Sequence, residues 1–246
     1  MTIGEHLEEL RKRVILSTFA ILAASVLAFV FIDDVMLFIR RPLDVIISEF
    51  PAGKVQLVQF KVFSGFVGAM KIAVFVGAIV AAPITLHQMW SFISAGLYRH
   101  ERRAVKFYAI PGFGLFLAGA ALAYLFVMPY ALRFLIGFAI DDLGLDQSPL
   151  DFNSYVSLIA FSMFVFGMLF QLPIVMIFLM RIGAVEPATF AHYRRHAIVA
   201  SFALAMLLTP PDPFTQIALA SSMSILYEIA ILLGRTIAQP RSTGDE

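Results

Sequence analysis

The sequence predicts an all-α integral membrane protein with six transmembrane helices, the last two short, forming a concave bundle with both termini in the cytoplasm. Three observations predict it. Of 246 residues, 60% are hydrophobic and only 14% charged; the mean hydropathy is +0.87; and six stretches contain no Asp, Glu, Lys or Arg. Soluble domains carry about 25% charged residues, so this chain lacks the surface that water would require. Only helices and closed barrels satisfy backbone groups in lipid, and these stretches lack the alternation and ~10-residue length of barrel strands. A single polytopic membrane domain, residues 1–246, uses the whole chain.

The spans follow in order at 14–32, 72–92, 107–132, 152–180, 197–211 and 213–233. The first run, 19 residues long, has no A-x-A cleavage pattern before Asp33 and reads as a span rather than a signal peptide. An outer loop over 33–71 carries Val35, Met36, Phe38, Ile39, Leu43, Ile46 and Ile47 at helical spacing. It forms either one or two amphipathic surface helices, broken at Pro42, or a loop packed on the bundle. Pro83, Pro111 and Pro129 imply kinks or helix ends in spans two and three, which curve the wall of the bundle. The last two charge-free runs, Ala197 to Pro211 and Pro213 to Tyr227, hold 15 residues each. They reach about 22 Å, short of a hydrocarbon core of about 30 Å. Pro210, Pro211 and Pro213 force a sharp turn between them; two short spans and one re-entrant hairpin both fit, and two spans are favoured.

Charge sets the orientation. Arg11, Lys12, Arg13, Arg99, Arg102, Arg103, Lys106, Arg181, Arg194, Arg195, Arg235 and Arg241 fall on one side, 12 of the 18 basic residues. The positive-inside rule makes that side cytoplasmic. A net charge of +1 argues against a nucleic-acid partner, and the absence of cysteine excludes disulfides and thiolate chemistry.

No P-loop, nucleophile elbow or H-E-x-x-H occurs, and His192 and His196 stand beside Arg194 and Arg195, which repel a cation. The expectation is no enzyme, no cofactor and no metal. What stands out is acidic: Glu5, Glu8 and Glu9 at helical spacing near the amino terminus, and Glu101 in a loop with four basic residues. Two carboxylates at one membrane face can grip two arginines of a partner. Each also has a plainer reading, since Glu8 with Lys12 and Glu9 with Arg13 are ideal i, i+4 pairs. Within the spans, Gln171 must find a hydrogen-bond partner, either the carbonyls freed by Pro173 or another helix. A secondary transporter of a small solute is the alternative function, although Gln171 is nearly all it would have at midplane. An intramembrane hydrolase is a more remote one, having no nucleophile motif.

Five segments, in order along the chain, resemble the TatC family, core component of the twin-arginine protein translocase. They are His6-Leu7-Glu8-Glu9-Leu10-Arg11-Lys12-Arg13, Gln88-Met89-Trp90-Ser91-Phe92-Ile93, Leu97-Tyr98-Arg99-His100-Glu101-Arg102-Arg103, Phe170-Gln171-Leu172-Pro173 and Leu207-Leu208-Thr209-Pro210-Pro211-Asp212. The resemblance covers nearly the whole chain. It implies a receptor and scaffold that binds twin-arginine signal peptides and exports folded proteins with TatA and TatB, driven by the proton motive force. Its location would be the cytoplasmic (inner) membrane of a prokaryote, in contact with further TatC copies.

By the same resemblance Glu9 and Glu101 bind the twin arginines, and Arg11, Phe92, Leu97, Tyr98 and Arg103 border that site. Gln171, Met206 and Thr209 contact the single-span partners, and Pro42, Pro83 and Asp212 are structural. Relatives often carry Glu where this chain has Gln171, which argues against an ionised role there.

Overall fold

The computed structural model describes residues 3–51, 53–58, 62–95, 102–145, 148–209 and 212–237. Helix α1, Ile3–Val30, is unbroken over 28 residues. It spans about 42 Å at 1.5 Å per residue. It packs along α3, Ser64–Val80, where a Cβ on Gly77 would strike the backbone of Ser25. Small residues permit this approach, and close approach matters because lipid supplies no hydrophobic drive for helices to associate.

Helix α2, Ile32–Ile47, lies across the far end of α1 and buries Ile39, Pro42, Leu43 and Ile46 while Leu37, Phe38 and Val45 stay exposed. The amphipathic reading of this segment is the one the structure adopts. Pro42, however, does not break the helix; it sits inside α2. A proline removes the N–H that would bond the carbonyl four residues earlier, here Phe38. Tyr124 supplies the missing donor, its hydroxyl donating to Phe38 O at 2.5 Å, and Tyr155 donates to the neighbouring Ile39 O at 2.5 Å. Tyr124 therefore serves the carbonyl that Pro42 frees, and Tyr155 ties the next one to α7.

The second pass is a broken one. Helices α3 and α4, Ala82–Ala95, meet at 55°, with Pro83 in the first turn of α4 and Thr85 Oγ1 donating to Ala81 O and Ala82 O at 3.2 and 3.1 Å. It begins at Ser64, ahead of the expected 72. Lys71, which delimited the span by its charge, is accommodated because Nζ donates to Asn153 Oδ1 and Ser157 Oγ at 3.1 and 3.2 Å.

The third pass runs through α5, Arg102–Leu122, a π-helical turn over Ala123–Val127, α6, Met128–Gly137, and a second π turn over Phe138–Asp142. It outlasts the expected 107–132 because Arg133 is paired. Its Nε donates to Glu49 Oε2 at 2.7 Å and its Nη2 to Glu49 Oε1. The widened turn before Pro129 absorbs the proline.

The fourth pass, α7 (Phe152–Leu169) and α8 (Leu172–Arg181), is the most enclosed, with 61% of its most apolar window buried. Helices α5 and α7 interlock through reciprocal glycines: a Cβ on Gly119 would stand 2.6 Å from Phe166 O, and one on Gly167 would stand 2.7 Å from the Phe116 ring. Strands β1 (Val55–Val58) and β2 (Ser148–Asp151) pair in parallel beside α2, a feature the sequence reading did not include.

A short helix α9, Pro187–His192, leads to α10, Arg194–Leu208, and α11, Pro213–Ile237. At 15 residues α10 is as short as expected. Helix α11 is longer than the short span expected at 213–233; it has 25 residues and, as expected, passes through Glu228, whose Oε1 meets Arg194 Nε at 2.8 Å. Among the described residues four helical segments are long and apolar enough to cross a membrane, and the bent pair α3–α4 makes a fifth when counted as one broken span.

Two predictions follow from these pairings. Tyr155→Phe keeps the ring but leaves Ile39 O short of a donor, a loss of roughly 1–2 kcal/mol; thermal unfolding in detergent should show it, and Tyr124→Phe should act in the same direction. The Arg133 guanidinium holds the Glu49 carboxyl below its ordinary 4.5. Because the folded value is the lower one, this contribution is whole above about pH 4.5 and fades as pH falls through the folded value. The difference in melting temperature between wild type and Glu49→Gln should therefore be constant near neutrality and shrink in acid.

Candidate functional site

At the end of the bundle where α1 begins, its first turns meet α4. Glu9 and Arg13 are one turn apart on the same helix face, and Arg13 reaches Glu9 Oε1 with Nη2 at 2.6 Å and Nε at 2.8 Å. Arg13 Nη1 donates to Gln88 Oε1 at 2.6 Å. Gln88 is buried on α4, so a single guanidinium ties a carboxylate of α1 to an amide of α4. One turn further along α4, Phe92 stacks on His6 with ring centroids 4.5 Å apart. Glu8 pairs with Lys12 at 3.2 Å on the exposed side of the helix. Arg11 is exposed.

Glu9 thus has its plain i, i+4 partner, and through Arg13 it is tied to α4 one turn before Phe92. Of the other residues singled out for this site, Arg103 lies in the first turn of α5, while Glu101, Leu97 and Tyr98 lie outside the described residues. Gln88, which the sequence reading did not single out for the site, is central to it. Its signal was a buried-face amide one turn before Phe92.

Deeper along the same end, Trp90, Tyr108 and Phe178 form an aromatic cluster, with Trp90 5.8 Å from Tyr108 and 5.3 Å from Phe178. The Arg181 guanidinium stands 5.9 Å from the Tyr108 ring centre.

The remaining predicted residues are spread over the bundle. Gln171 sits at the junction of α7 and α8, buried, and its Nε2 donates to Gly112 O of α5 at 2.8 Å. It bonds a neighbouring helix and not the carbonyl that Pro173 frees, Leu169 O. Met206 is exposed on α10, and Thr209 ends that helix by donating from Oγ1 to Ala205 O at 2.8 Å. Asp212 is buried and starts α11, where Oδ1 accepts from Thr215 N at 2.7 Å and Oδ2 from the Thr215 hydroxyl. Among the described residues no three His, Asp or Glu side chains are grouped to hold a metal.

Stacked apolar helices, with their polar contacts concentrated at the ends, define a multi-pass α-helical membrane protein. The family model for Sec-independent protein translocase protein (TatC) matches residues 5–221. TatC of Magnetococcus marinus is 35% identical over 238 residues, 97% of this chain and 85% of that one. TatC of Aquifex aeolicus is 36% identical over 235 residues, 96% of this chain and 95% of that one. The crystal structure of the twin arginine translocase receptor TatC superimposes with a TM-score of 0.81 at 35% identity, covering 95% of this chain and 100% of that one. The chain belongs to the TatC family. It is a translocase component, a transport protein and not a catalytic enzyme.

The Arg13–Gln88 contact should be measurable as a coupling. Gln88→Ala removes the acceptor of a charged donor, about 1–2 kcal/mol. The same substitution in an Arg13→Ala background should have a much smaller effect on unfolding, because the two losses share one bond.

Proposed function

We propose that this chain is the signal-peptide receptor of a twin-arginine translocase, in the cytoplasmic membrane of a prokaryote with both termini in the cytoplasm. The twin arginines dock on Glu9 and Glu101, bordered by Arg11, Phe92, Leu97, Tyr98 and Arg103. The apolar part of the signal peptide lies along the bundle. Folded cargo is exported with TatA and TatB and further TatC copies, using the proton motive force. Met206 and Thr209 are assigned to the partner helices; Gln171, expected there too, is buried with its amide on Gly112 O and is assigned to helix packing, and Pro42, Pro83 and Asp212 to shape.

The observation that carries this reading is the Glu9 carboxylate, which already holds a guanidinium through two of its nitrogens at the face of α4 that bears Phe92. Chemistry that binds Arg13 will bind an arginine of the same geometry from outside. The exposure of Met206 supports a helix-facing role for α10, since the residue is open to whatever lies beside it.

Photocrosslinking from a probe placed near Glu101 tests the reading directly. Adducts with an Arg-Arg signal peptide should disappear in Glu9→Ala and in Glu101→Ala, and with a Lys-Lys peptide on the wild-type chain. Undiminished adducts in both variants would reject the assignment.

A further inference from the structure

Three buried side-chain atoms lack a hydrogen bond among the described residues: Arg194 Nε, Trp90 Nε1 and Gln171 Oε1. Arg194 Nε has its charge partner in Glu228, 2.8 Å away. The other two have none, and both border one place. The point where a Cβ of Gly112 would stand lies 3.1 Å from Gln171 Oε1 and 3.6 Å from Trp90 Nε1, with Ile174 Cδ1 also at 3.6 Å. Trp90 is 1% exposed and Gln171 5%, so neither atom is served by bulk solvent.

We propose that an internal water molecule occupies the notch beside Gly112 and joins Trp90 Nε1 to Gln171 Oε1. Donor and acceptor senses fit. An indole N–H can only donate and an amide oxygen can only accept. A water accepts from the first and donates to the second, which meets the minimum of two polar partners for a buried water. The orientation of the amide is settled by its other contact. Nε2 donates to Gly112 O at 2.8 Å, and a reversed amide would set two acceptors together there and two donors together at Trp90.

Both atoms lie close to one point beside Gly112, and one water with two bonds of about 2.8–3.0 Å spans separations up to about 6 Å. Glycine is the residue that leaves this notch open, and Ile174 closes it with an apolar wall.

The water completes a junction of α4, α5 and the turn between α7 and α8. Trp90 brings it to the same turns of α4 as the candidate site but to the opposite helix face: Gln88, two positions before, holds Arg13, and Phe92, two positions after, stacks on His6. The junction does not depend on which peptide that site receives.

The chain's one tryptophan makes the test direct. In the 15N-labelled full-length protein in detergent micelles, the Trp90 indole gives a single resonance. A rotating-frame Overhauser cross-peak at the water frequency, with the sign of dipolar contact and not of exchange, is expected in the wild type and in Tyr108→Phe. It should be lost in Gly112→Ala, where the methyl fills the notch, and in Gln171→Leu, where the acceptor is gone. It should persist in Gly114→Ala, since a Cβ there meets nothing within 4 Å. Should Gly112→Ala fail to fold, Gln171→Leu against Gly114→Ala decides. No cross-peak in the wild type, or one unchanged in Gln171→Leu, overturns the proposal.

Discussion

Every backbone N–H and C=O within hydrocarbon must find a partner in the protein, and this bundle is organised around the places where proline removes one. Four of the prolines are accommodated by different devices, while Pro111 lies inside α5. Pro42 remains inside α2 with Tyr124, from the π turn between α5 and α6, donating to Phe38 O, and Tyr155 of α7 donating to the adjacent Ile39 O. Pro83 is placed in the first turn after a 55° bend, with Thr85 bonding back to the carbonyls at the break. Pro129 follows a π turn in which Met128 N bonds Ala123 O, one residue further back than an α-helix would allow. Pro173 begins α8 after a break that turns the Gln171 amide onto Gly112 O. Three of the four devices bring in a polar side chain, and for Pro42 and Pro173 that side chain also bonds one helix to another.

Those crossings matter because the usual adhesive is missing. Lipid tails are as apolar as the side chains they would replace, so helices gain packing on association but little from leaving the bilayer. Close contact must then come from shape. Gly77 against Ser25, and Gly119 and Gly167 against Phe166 and Phe116, bring backbones and rings to distances that a Cβ would forbid. Glycine lowers helix propensity by up to about 1 kcal/mol, and here the gain in contact offsets that loss. The hydrogen bonds of Tyr124, Tyr155 and Gln171 then fix which rotation of each helix is chosen, which uniform apolar packing alone would not.

Apolar runs revealed the helices because hydropathy is a property of each residue by itself. Their ends were less legible, because at Lys71 and Arg133 a charge was taken to end a span. Both lie within helices. Each has a partner distant in sequence: Asn153 and Ser157, and Glu49. Such partners cannot be read from a run of hydropathy. The parallel pairing of Val55–Val58 with Ser148–Asp151 escaped for the same reason, since four residues on either side carry no periodic signal. At the candidate site the Glu9–Arg13 spacing was visible from helical geometry, whereas Gln88 became visible only once α4 lay against α1. Trp90 and Gln171 are a sharper case: their identities were plain, but their lack of partners is a fact of packing.

The occupied state of Glu9 bears on how selectivity arises. On the proposed docking, an arginine arriving from outside would meet a carboxylate that already has a guanidinium, so the exchange would replace one charged hydrogen bond by another of the same kind. Half-exposed ion pairs are worth about 1 kcal/mol or less, and the difference between two such pairs is smaller still. The exchange at Glu9 would therefore add little net affinity, and much of the affinity would come from burying the apolar part of the peptide; losing the carboxylate is a different matter, because it leaves Arg13 and the incoming guanidinium facing each other unpaired. Selectivity survives this cancellation. A lysine, with a point charge and no planar fork, cannot reproduce the two-nitrogen contact that Arg13 makes with Oε1, so for lysine the exchange runs uphill. On the proposed docking, an internal arginine at Glu9 would work as a threshold, passed by a second guanidinium with apolar burial behind it and not by positive charge alone.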